Sequence, residues 1–323
     1  MFGVLFRVKE MNGLSTNRRF ASKPTGAFRG RQCQLRLPAL LVLAMLAVSA
    51  SLVCAVSSSA APPSPLPAFK PATQRAFDAY VLAVDQRNNA ELQRGAGLLW
   101  IDALPDAERK RAYAALASGQ VQIKQRGRSD GGIQMDCPDG MIHHWVGVVF
   151  LPGAKLDDVL AILQDYDHHS AYYAPDVVRS RLDWRDGDHF HAFLRFRRSK
   201  VITVVLNTEH DVRYFRDSPV LAHSRSSATH IAEVENPGKA GEREKPRDSD
   251  GGFLWGMETW WRLEEKDGGV YVQSEIVSLT RDIPTGLGWM IAPFVNAVPR
   301  ESLSFTLEAT RSAVESRARR AAR

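Results

Sequence analysis

The sequence lacks the cysteines for an internal disulfide bond. Its 323 residues contain three cysteines. Cys33 and Cys54 fall within the first 60 residues, so Cys137 is the single thiol in the remainder. One thiol cannot form an internal disulfide, so the folded part must be stabilised by its own apolar core. About 260 residues are enough to bury a substantial core.

Beyond its first 60 residues, the chain also lacks an excess of charge of either sign. The whole sequence carries 42 Lys and Arg against 36 Asp and Glu, a formal net charge of +6. Residues 1–60 hold eight of the basic residues and one of the acidic ones, which leaves 34 basic and 35 acidic residues in 61–323. A domain that binds nucleic acid needs a basic face. We therefore expect no nucleic-acid partner.

Familiar catalytic and metal-binding motifs are absent as well. There is no P-loop or Rossmann fingerprint, and the Asp, His and Ser residues within 167–170 are sequence neighbours rather than a catalytic triad. Histidines occur in pairs at His143 and His144 and at His189 and His191, but none has the HExxH spacing of a metal site on a helix. We therefore expect neither a metal nor a cofactor.

An apolar run near the N terminus predicts export. The uncharged segment 37–56 follows a basic region and precedes small residues and a proline-rich stretch. This is the order of a secretory signal peptide, with Ser58 and Ala60 at positions −3 and −1 of a cleavage site. We expect residues 1–60 to be a signal peptide and the mature protein to be periplasmic or secreted.

Two alternatives to cleavage stay open. Segment 37–56 is also long enough to remain as a membrane anchor, because a spanning helix needs about 17–25 residues. Cys54 would be the modified residue of a lipoprotein, although Val53 stands where a small residue is expected.

A helical prefix follows the leader. Residues 61–72 form a proline-rich linker, and 73–119 show helical periodicity. Phe77, Tyr80 and Val81 have the i, i+3, i+4 spacing of one helix face. We expect this prefix to pack on the domain that follows; a spacer near the membrane is the alternative.

The remainder, 120–318, has a distinctive order of elements, before a basic tail at 319–323. Strand-like runs at 121–126 and 141–153 precede a helix at 155–166 and a second short helix or turn. Six further strand-like runs follow and lead to a last helix that begins at Pro299. These runs are 177–184, 189–198, 201–214, 220–234, 253–264 and 270–281.

This order, together with the segment LPGAKLDDVLAILQDYDHHSAYYAPDVVRSRL, resembles the START-like (SRPBCC) superfamily with its helix-grip fold. The superfamily includes lipid-transfer domains, polyketide cyclases and coenzyme Q-binding proteins. The resemblance implies an α+β fold in which a curved antiparallel sheet of about seven strands wraps around a long C-terminal helix. It covers roughly residues 120–318, so the helical prefix lies outside it, and it further implies two short helices after the first strand and an apolar cavity between sheet and helix.

A hairpin near the C terminus predicts which residues face that cavity. The Asp-Gly pair at 267–268 forms the centre of a preferred type I′ loop, which pairs Trp261 with Ser274 and Trp260 with Glu275. Successive strand residues point to opposite faces. Trp261 is therefore expected on the inner face and Trp260 on the outer face.

The inner face is mostly apolar with a few hydroxyls, as a small-molecule pocket requires. A filled apolar core would show the same pattern, so both interpretations stay open. The residues expected to bind a ligand are Trp255, Met257, Thr259, Trp261, Ser274, Ile276, Ser278, Phe196, Leu206 and Trp289.

Charged residues are expected on the outer face. Glu258, Arg262 and Glu275 would form a surface ladder of ion pairs that shields Trp260. Burial of the two glutamates as acid/base groups is the alternative. His210 lies on a mostly apolar strand face, where we expect a hydrogen-bonded histidine of the core or rim; a ligand contact or an acid/base role is the alternative.

Taken as a whole, the sequence predicts an exported protein that binds or carries a hydrophobic small molecule, lipid or isoprenoid-like. One alternative is an enzyme of cyclase or hydrolase type that uses His210 or Glu275 as acid/base. Another is an envelope interaction module without a ligand. The apolar segment 284–302 predicts a pocket lid, contact with a membrane surface, or a buried loop.

Overall fold

The computed structural model describes residues 69–95, 97–127, 136–199, 203–247, 249–282 and 288–323. Side chains within 288–297 are outside this description, as is the predicted leader. Within these ranges, no helix combines the length and the apolar character that crossing a membrane requires.

The described ranges contain nine β-strands and five α-helices. The strands are β1 (Gln122–Gln125), β2 (Gly140–Pro152), β3 (Val177–Asp186), β4 (His189–Ser199), β5 (Thr203–Ser218), β6 (Leu221–Glu235), β7 (Arg243–Glu244), β8 (Gly256–Lys266) and β9 (Gly269–Arg281). The helices are α1 (Pro71–Arg94), α2 (Asp106–Ala117), α3 (Leu156–Leu163), α4 (His169–Tyr172) and α5 (Gly288–Ala321), with 3₁₀ turns at Trp100–Ala103 and Tyr166–His168.

The strands form a curved antiparallel sheet in the order β1-β2-β9-β8-β6-β5-β4-β3, with β7 beside β6. Trp145 of β2 and Phe190 of β4, which lie toward opposite ends of this order, join one apolar cluster with Leu303 and Leu307 of α5. The sheet therefore wraps around α5, and the predicted helix-grip fold is confirmed. The nine strands exceed the number of about seven that the resemblance implies: β1 lies in the predicted run 121–126, and the two-residue β7 was not predicted.

The register predicted for the hairpin is confirmed. Trp261 pairs with Ser274, and Trp260 pairs with Glu275. The loop residues at 267–268 have φ of 55° and 75°, the two positive values that a type I′ loop requires.

The last helix is longer than the sequence predicted. It begins at Gly288 rather than at Pro299, so much of segment 284–302 is helical. Proline is commonest in the first turn of a helix because inside a helix it removes one backbone hydrogen bond and crowds the preceding turn, yet α5 continues through Pro299. The predicted lid, membrane contact or buried loop in this segment depends largely on residues and side chains outside the description, Trp289 among them.

The outer face of the sheet is covered by α1. Phe77, Tyr80 and Val81, the residues of the predicted helix face, pack in one cluster with Trp260 of β8. Gly256 at the start of β8 permits the close approach, because a Cβ atom there would lie 2.6 Å from the ring of Phe77. The helical prefix therefore packs directly on the sheet.

The predicted surface ladder of ion pairs is wrong. Trp260 is 6% exposed, Arg262 3% and Glu275 2%, and Glu258 is mostly buried beside Arg225. All four predicted residues lie on the outer face, as their alternation indicates, but α1 covers that face. The strand register assigns a side chain to a face and does not reveal which element packs over it.

Hydrogen bonds pair the buried charges of β9 with α1. Glu275 accepts hydrogen bonds from Nη2 of Arg87 at 2.5 Å and from Nε2 of His144 at 2.7 Å. The hydroxyl of Tyr80 lies 2.8 Å from Nδ1 of the same histidine. Burial alone would raise the pKa of Glu275, but the bond from His144 and the charges of Arg87 and Arg126 hold that pKa well below its usual range.

A second set of bonds joins α1 to β8. Arg262 donates to the carbonyl oxygen of Leu98 at 2.7 Å and forms an ion pair with Glu91 at 2.7 Å. The indole N–H of Trp260 donates to Asp85 at 2.7 Å. If α1 moved away, the buried guanidinium of Arg262 would lose Glu91 and the buried indole N–H of Trp260 would lose Asp85, so these contacts hold α1 in one position.

We expect Arg262→Met to lower the free energy of unfolding by about 3 kcal/mol, because it leaves a carboxylate and a carbonyl without their buried partner. The matched control is Arg109→Met, which breaks an exposed ion pair with Asp106 and is expected to change stability by less than about 1 kcal/mol. Urea unfolding of both variants measures the difference. Equal effects would show that the α1 interface does not stabilise the fold.

Candidate functional site

A cavity of about 130 Å³ lies between the inner face of the sheet and α5. Strands β3, β4, β5, β6, β8 and β9 contribute to its wall, and α3, α4 with its flanking turns, and α5 contribute the rest. The lining residues are Leu163, Tyr166, His169, Tyr173, Asp176, Val177, Leu194, Phe196, His210, Val212, Tyr214, Ser226, Met257, Thr259, Trp261, Ile276, Phe305 and Thr306.

The strands contribute every second residue to this wall. In β8 these are Met257, Thr259 and Trp261, while the side chains between them point toward α1. The β8–β9 register places Ile276 opposite Thr259, and the β6–β8 register places Ser226 opposite Thr259 on the other side. Residues from three strands therefore meet at one part of the wall.

The cavity includes half of the residues that the sequence predicted to bind a ligand. Phe196, Met257, Thr259, Trp261 and Ile276 line it. Three others are buried but are not lining residues, namely Leu206, Ser274 and Ser278. The side chain of Trp289 lies outside the described ones.

Trp255 lies on the other side of the sheet, contrary to the prediction. It packs against Phe69 and belongs to the cluster under α1, and its indole N–H donates to Asp250 at 3.1 Å. β8 begins at Gly256. The alternation that assigns Met257 to the inner face does not extend to Trp255, because that residue precedes the strand.

The two candidate acid/base residues lie on opposite faces of the sheet. His210 lines the cavity, whereas Glu275 is enclosed between the sheet and α1, where Arg87 and His144 bind it. The structure therefore does not bring the two together at one site.

The polar lining residues that sequence reasoning missed include three tyrosines and one histidine. Tyr214 follows Val212 at the spacing of one strand face, so alternation could have identified it. Tyr166, His169 and Tyr173 lie in α4 and the turns that flank it. An element of about one turn is too short for its periodicity to reveal an inner side.

Burial keeps both cavity histidines neutral at pH 7. It lowers the pKa of His169 to about 4. Burial, together with the nearby His169 and His191, also lowers the pKa of His210 to about 4. Burial acts in the opposite direction on phenols, raising the pKa of Tyr173 to about 12. These side chains are therefore uncharged at neutral pH.

The charge at the cavity edge is paired. Asp176 lines the cavity and lies 3.0 Å from Nη1 of Arg198. The same guanidinium also donates to the hydroxyl of Ser302 on α5 at 3.2 Å. The lining is thus mostly apolar, with a small number of neutral polar groups and one carboxylate, Asp176, that is paired with Arg198. Among the described residues, no cluster of three or more His, Cys, Asp or Glu is placed to hold a metal.

Neither a protein-family model nor a curated protein matches this sequence. The START-like resemblance is confirmed at the level of the fold by the element order and by the sheet that wraps α5. Similar solved structures include a STAR-related lipid transfer protein from Xanthomonas axonopodis, with 19% identity, coverage of 56% of this chain and 96% of that one, and a TM-score of 0.39.

Two further solved structures illustrate the range of proteins that are similar to this chain. The Zhui aromatase/cyclase from Streptomyces sp. R1128 is 13% identical, with coverage of 55% of this chain and 96% of that one and a TM-score of 0.37. Human STARD10 is 9% identical, with coverage of 65% of this chain and 80% of that one and a TM-score of 0.39.

The buried neutral histidines make the fold sensitive to acid. His169 and His210 have folded pKa values of about 4 against about 6.5 in an unfolded chain, so the unfolded state binds more protons. The contribution of these neutral histidines to the free energy of unfolding is complete above pH 6.5 and is lost as the pH falls toward 4. His143 behaves in the same way, whereas the exposed His168 beside Asp165 has a raised pKa and acts in the opposite direction.

We therefore expect the free energy of unfolding to fall between about pH 7 and about pH 5, by roughly 1–2 kcal/mol for each buried histidine. His210→Phe removes one of these groups and is expected to flatten the profile by that amount, whereas His168→Leu is not. Urea unfolding at the two pH values measures the change. A His210→Phe profile parallel to that of the parent protein would contradict the assignment.

Proposed function

We propose that this protein binds a hydrophobic small molecule in the cavity between the sheet and α5. The observation that carries the proposal is the cavity itself. Protein interiors are close-packed and contain few voids larger than a water molecule. A volume of about 130 Å³ is several times the roughly 30 Å³ that one water occupies in the liquid.

The size of the cavity indicates which part of a ligand it would hold. An apolar cavity of roughly 150 Å³ accommodates benzene, whereas pockets for complete small ligands measure roughly 300–1,000 Å³. The volume of about 130 Å³ therefore fits a ring or the end of a chain. We propose a lipid or isoprenoid-like ligand with one end in the cavity.

The expected affinity for a ring-sized group is modest. Burying roughly 150 Å² of apolar surface at about 25 cal/mol per Å² yields roughly 4 kcal/mol, which corresponds to a millimolar dissociation constant. A ligand of higher affinity needs contacts beyond the cavity. The apolar segment 284–302 is the proposed source of such contacts and of a contact with the membrane surface from which an apolar ligand is exchanged.

An enzymatic role of cyclase or hydrolase type is less well supported. His210 and Glu275 are separated by the sheet, so they do not form an acid/base pair. A general base works best when its pKa lies near the operating pH. With a pKa of about 4, the imidazole of His210 is a weak base at neutral pH, and binding is the function that the lining favours.

A substitution that fills the cavity tests the proposal. We expect Thr259→Phe to abolish binding of benzene, because the added ring occupies the space between Thr259, Ser226 and Ile276. Val220→Phe, at a residue 48% exposed on the β5–β6 turn, is the matched control and should leave binding unchanged. Benzene-induced chemical-shift changes in the NMR spectrum measure occupancy, and native mass spectrometry of the purified chain detects any apolar molecule that co-purifies.

If benzene causes no shifts near the cavity in the parent protein and nothing apolar co-purifies, ligand binding is not the function. If Thr259→Phe binds benzene as the parent does, the ligand site lies elsewhere. Circular dichroism confirms that both variants are folded.

We also propose that the protein is exported, on the composition of the leader alone. Segment 37–56 is uncharged and apolar, and small residues follow it through Ala60. We expect the mature protein to lack residues 1–60 when its intact mass is measured after recovery from the cell envelope or the medium. Full-length mass in the membrane fraction would indicate an anchor instead, and full-length mass in the cytoplasm would contradict both.

A further inference from the structure

We propose that the cavity selects ligands that carry a hydrogen-bond donor, such as an alcohol or a phenol, over ligands of the same size that carry only an acceptor, such as a ketone. The inference rests on the proposed ligand binding and adds the chemical class of the ligand's polar group. It follows from where the protons of the buried lining residues already lie.

The proton of His169 is on its Nε2 atom. This atom lies 3.2 Å from the carbonyl oxygen of Ile162, and a carbonyl oxygen can only accept a hydrogen bond. Because the imidazole is neutral, the other ring nitrogen, Nδ1, has no proton and is an acceptor.

The proton of His210 is also on Nε2. The hydroxyl of Thr208 lies 3.1 Å from the carbonyl oxygen of Leu194, to which it donates, and 2.8 Å from Nε2 of His210. With the hydroxyl proton assigned to the carbonyl, the Thr208 oxygen accepts a hydrogen bond from Nε2 of His210. In this neutral ring too, Nδ1 is left as an acceptor.

The hydroxyl protons of the buried tyrosines are likewise bound within the protein. Tyr214 donates to the carbonyl oxygen of Leu163 at 2.9 Å, and Tyr166 donates to the oxygen of Tyr214 at 2.9 Å. Tyr173 donates to Thr310 at 3.1 Å, because the hydroxyl of Thr310 donates to a backbone carbonyl of its own helix. None of these three phenols has a proton left for a ligand.

The most buried polar groups of the lining therefore offer lone pairs. A ligand hydroxyl that reaches Nδ1 of either histidine can donate to it, whereas a ketone oxygen there would place its own lone pairs against those of the nitrogen and lose its hydrogen bonds to water without replacement. Ser226, Thr259, Trp261 and Thr306 can donate, but these side chains are only half-buried, so a hydrogen bond to them replaces less of the loss caused by burial than one to a fully buried group.

Three probes of equal ring size separate the outcomes: cyclohexanol, cyclohexanone and methylcyclohexane. We expect the parent protein to bind cyclohexanol about tenfold more tightly than cyclohexanone. The alcohol gains one hydrogen bond to the protein, whereas the ketone oxygen loses its hydrogen bonds to water and gains none. NMR titration of the full chain at neutral pH measures each dissociation constant. The preference is expressed as a ratio, so that differences in overall affinity between variants cancel.

His210→Leu and His169→Leu each remove one acceptor with little change in volume. We expect at least one of them to reduce the alcohol preference toward unity while methylcyclohexane still binds, which also shows that the cavity has formed. The matched control is His168→Leu. That histidine is adjacent in sequence and exposed, with its Nδ1 atom 2.7 Å from Asp165, and its removal should leave the preference unchanged.

The possible failures are distinguishable. If none of the three probes binds, the proposed ligand binding itself is wrong. If the alcohol and the ketone bind equally, or the ketone binds better, the cavity binds ligands but its half-buried donors determine which polar group is preferred. The selectivity proposal is then wrong. If both leucine variants keep the full preference, the histidines are not its source.

Discussion

Burial of the β8–β9 hairpin on both faces is the constraint on which the rest of the structure depends. Nearly every residue of β9 is buried, which an antiparallel strand with one solvated face would not show. One face packs toward the cavity and α5, and the other packs under α1, α2 and the turn between them. Each residue of the hairpin therefore lies in one of two different interiors, a mostly apolar one on the inside and one on the outside in which apolar and charged side chains are mixed.

The two interiors differ in the charge state of their titratable side chains. Under α1, the carboxylate of Glu275 stays ionised because Arg87, Arg126 and His144 surround it. Inside the sheet, the histidines have no carboxylate as close, and burial keeps them neutral. A neutral, mostly apolar interior is suited to an uncharged ligand, whereas the charged interface is suited to holding a helix in one position.

Much of the fold, but only about a third of the cavity lining, could be predicted from the sequence. Alternation and the Asp-Gly loop were enough to place Met257, Thr259 and Trp261 on the inner face, because a strand's period of two is strict within its bounds. The prediction failed for Trp255, which lies just outside those bounds. It also missed His169, because no periodicity can be measured over a four-residue helix.

The sequence by itself determined the order of elements, the hairpin register and the face to which each strand residue belongs. These are local properties, set by turn chemistry and side-chain alternation. Only the tertiary structure decided what covers each face: α1 over Glu275 and Arg262, and a cavity rather than packed side chains beside Thr259. The physical reason is that burial and protonation depend on contacts between segments that are far apart in the chain, and one strand's pattern carries no information about them.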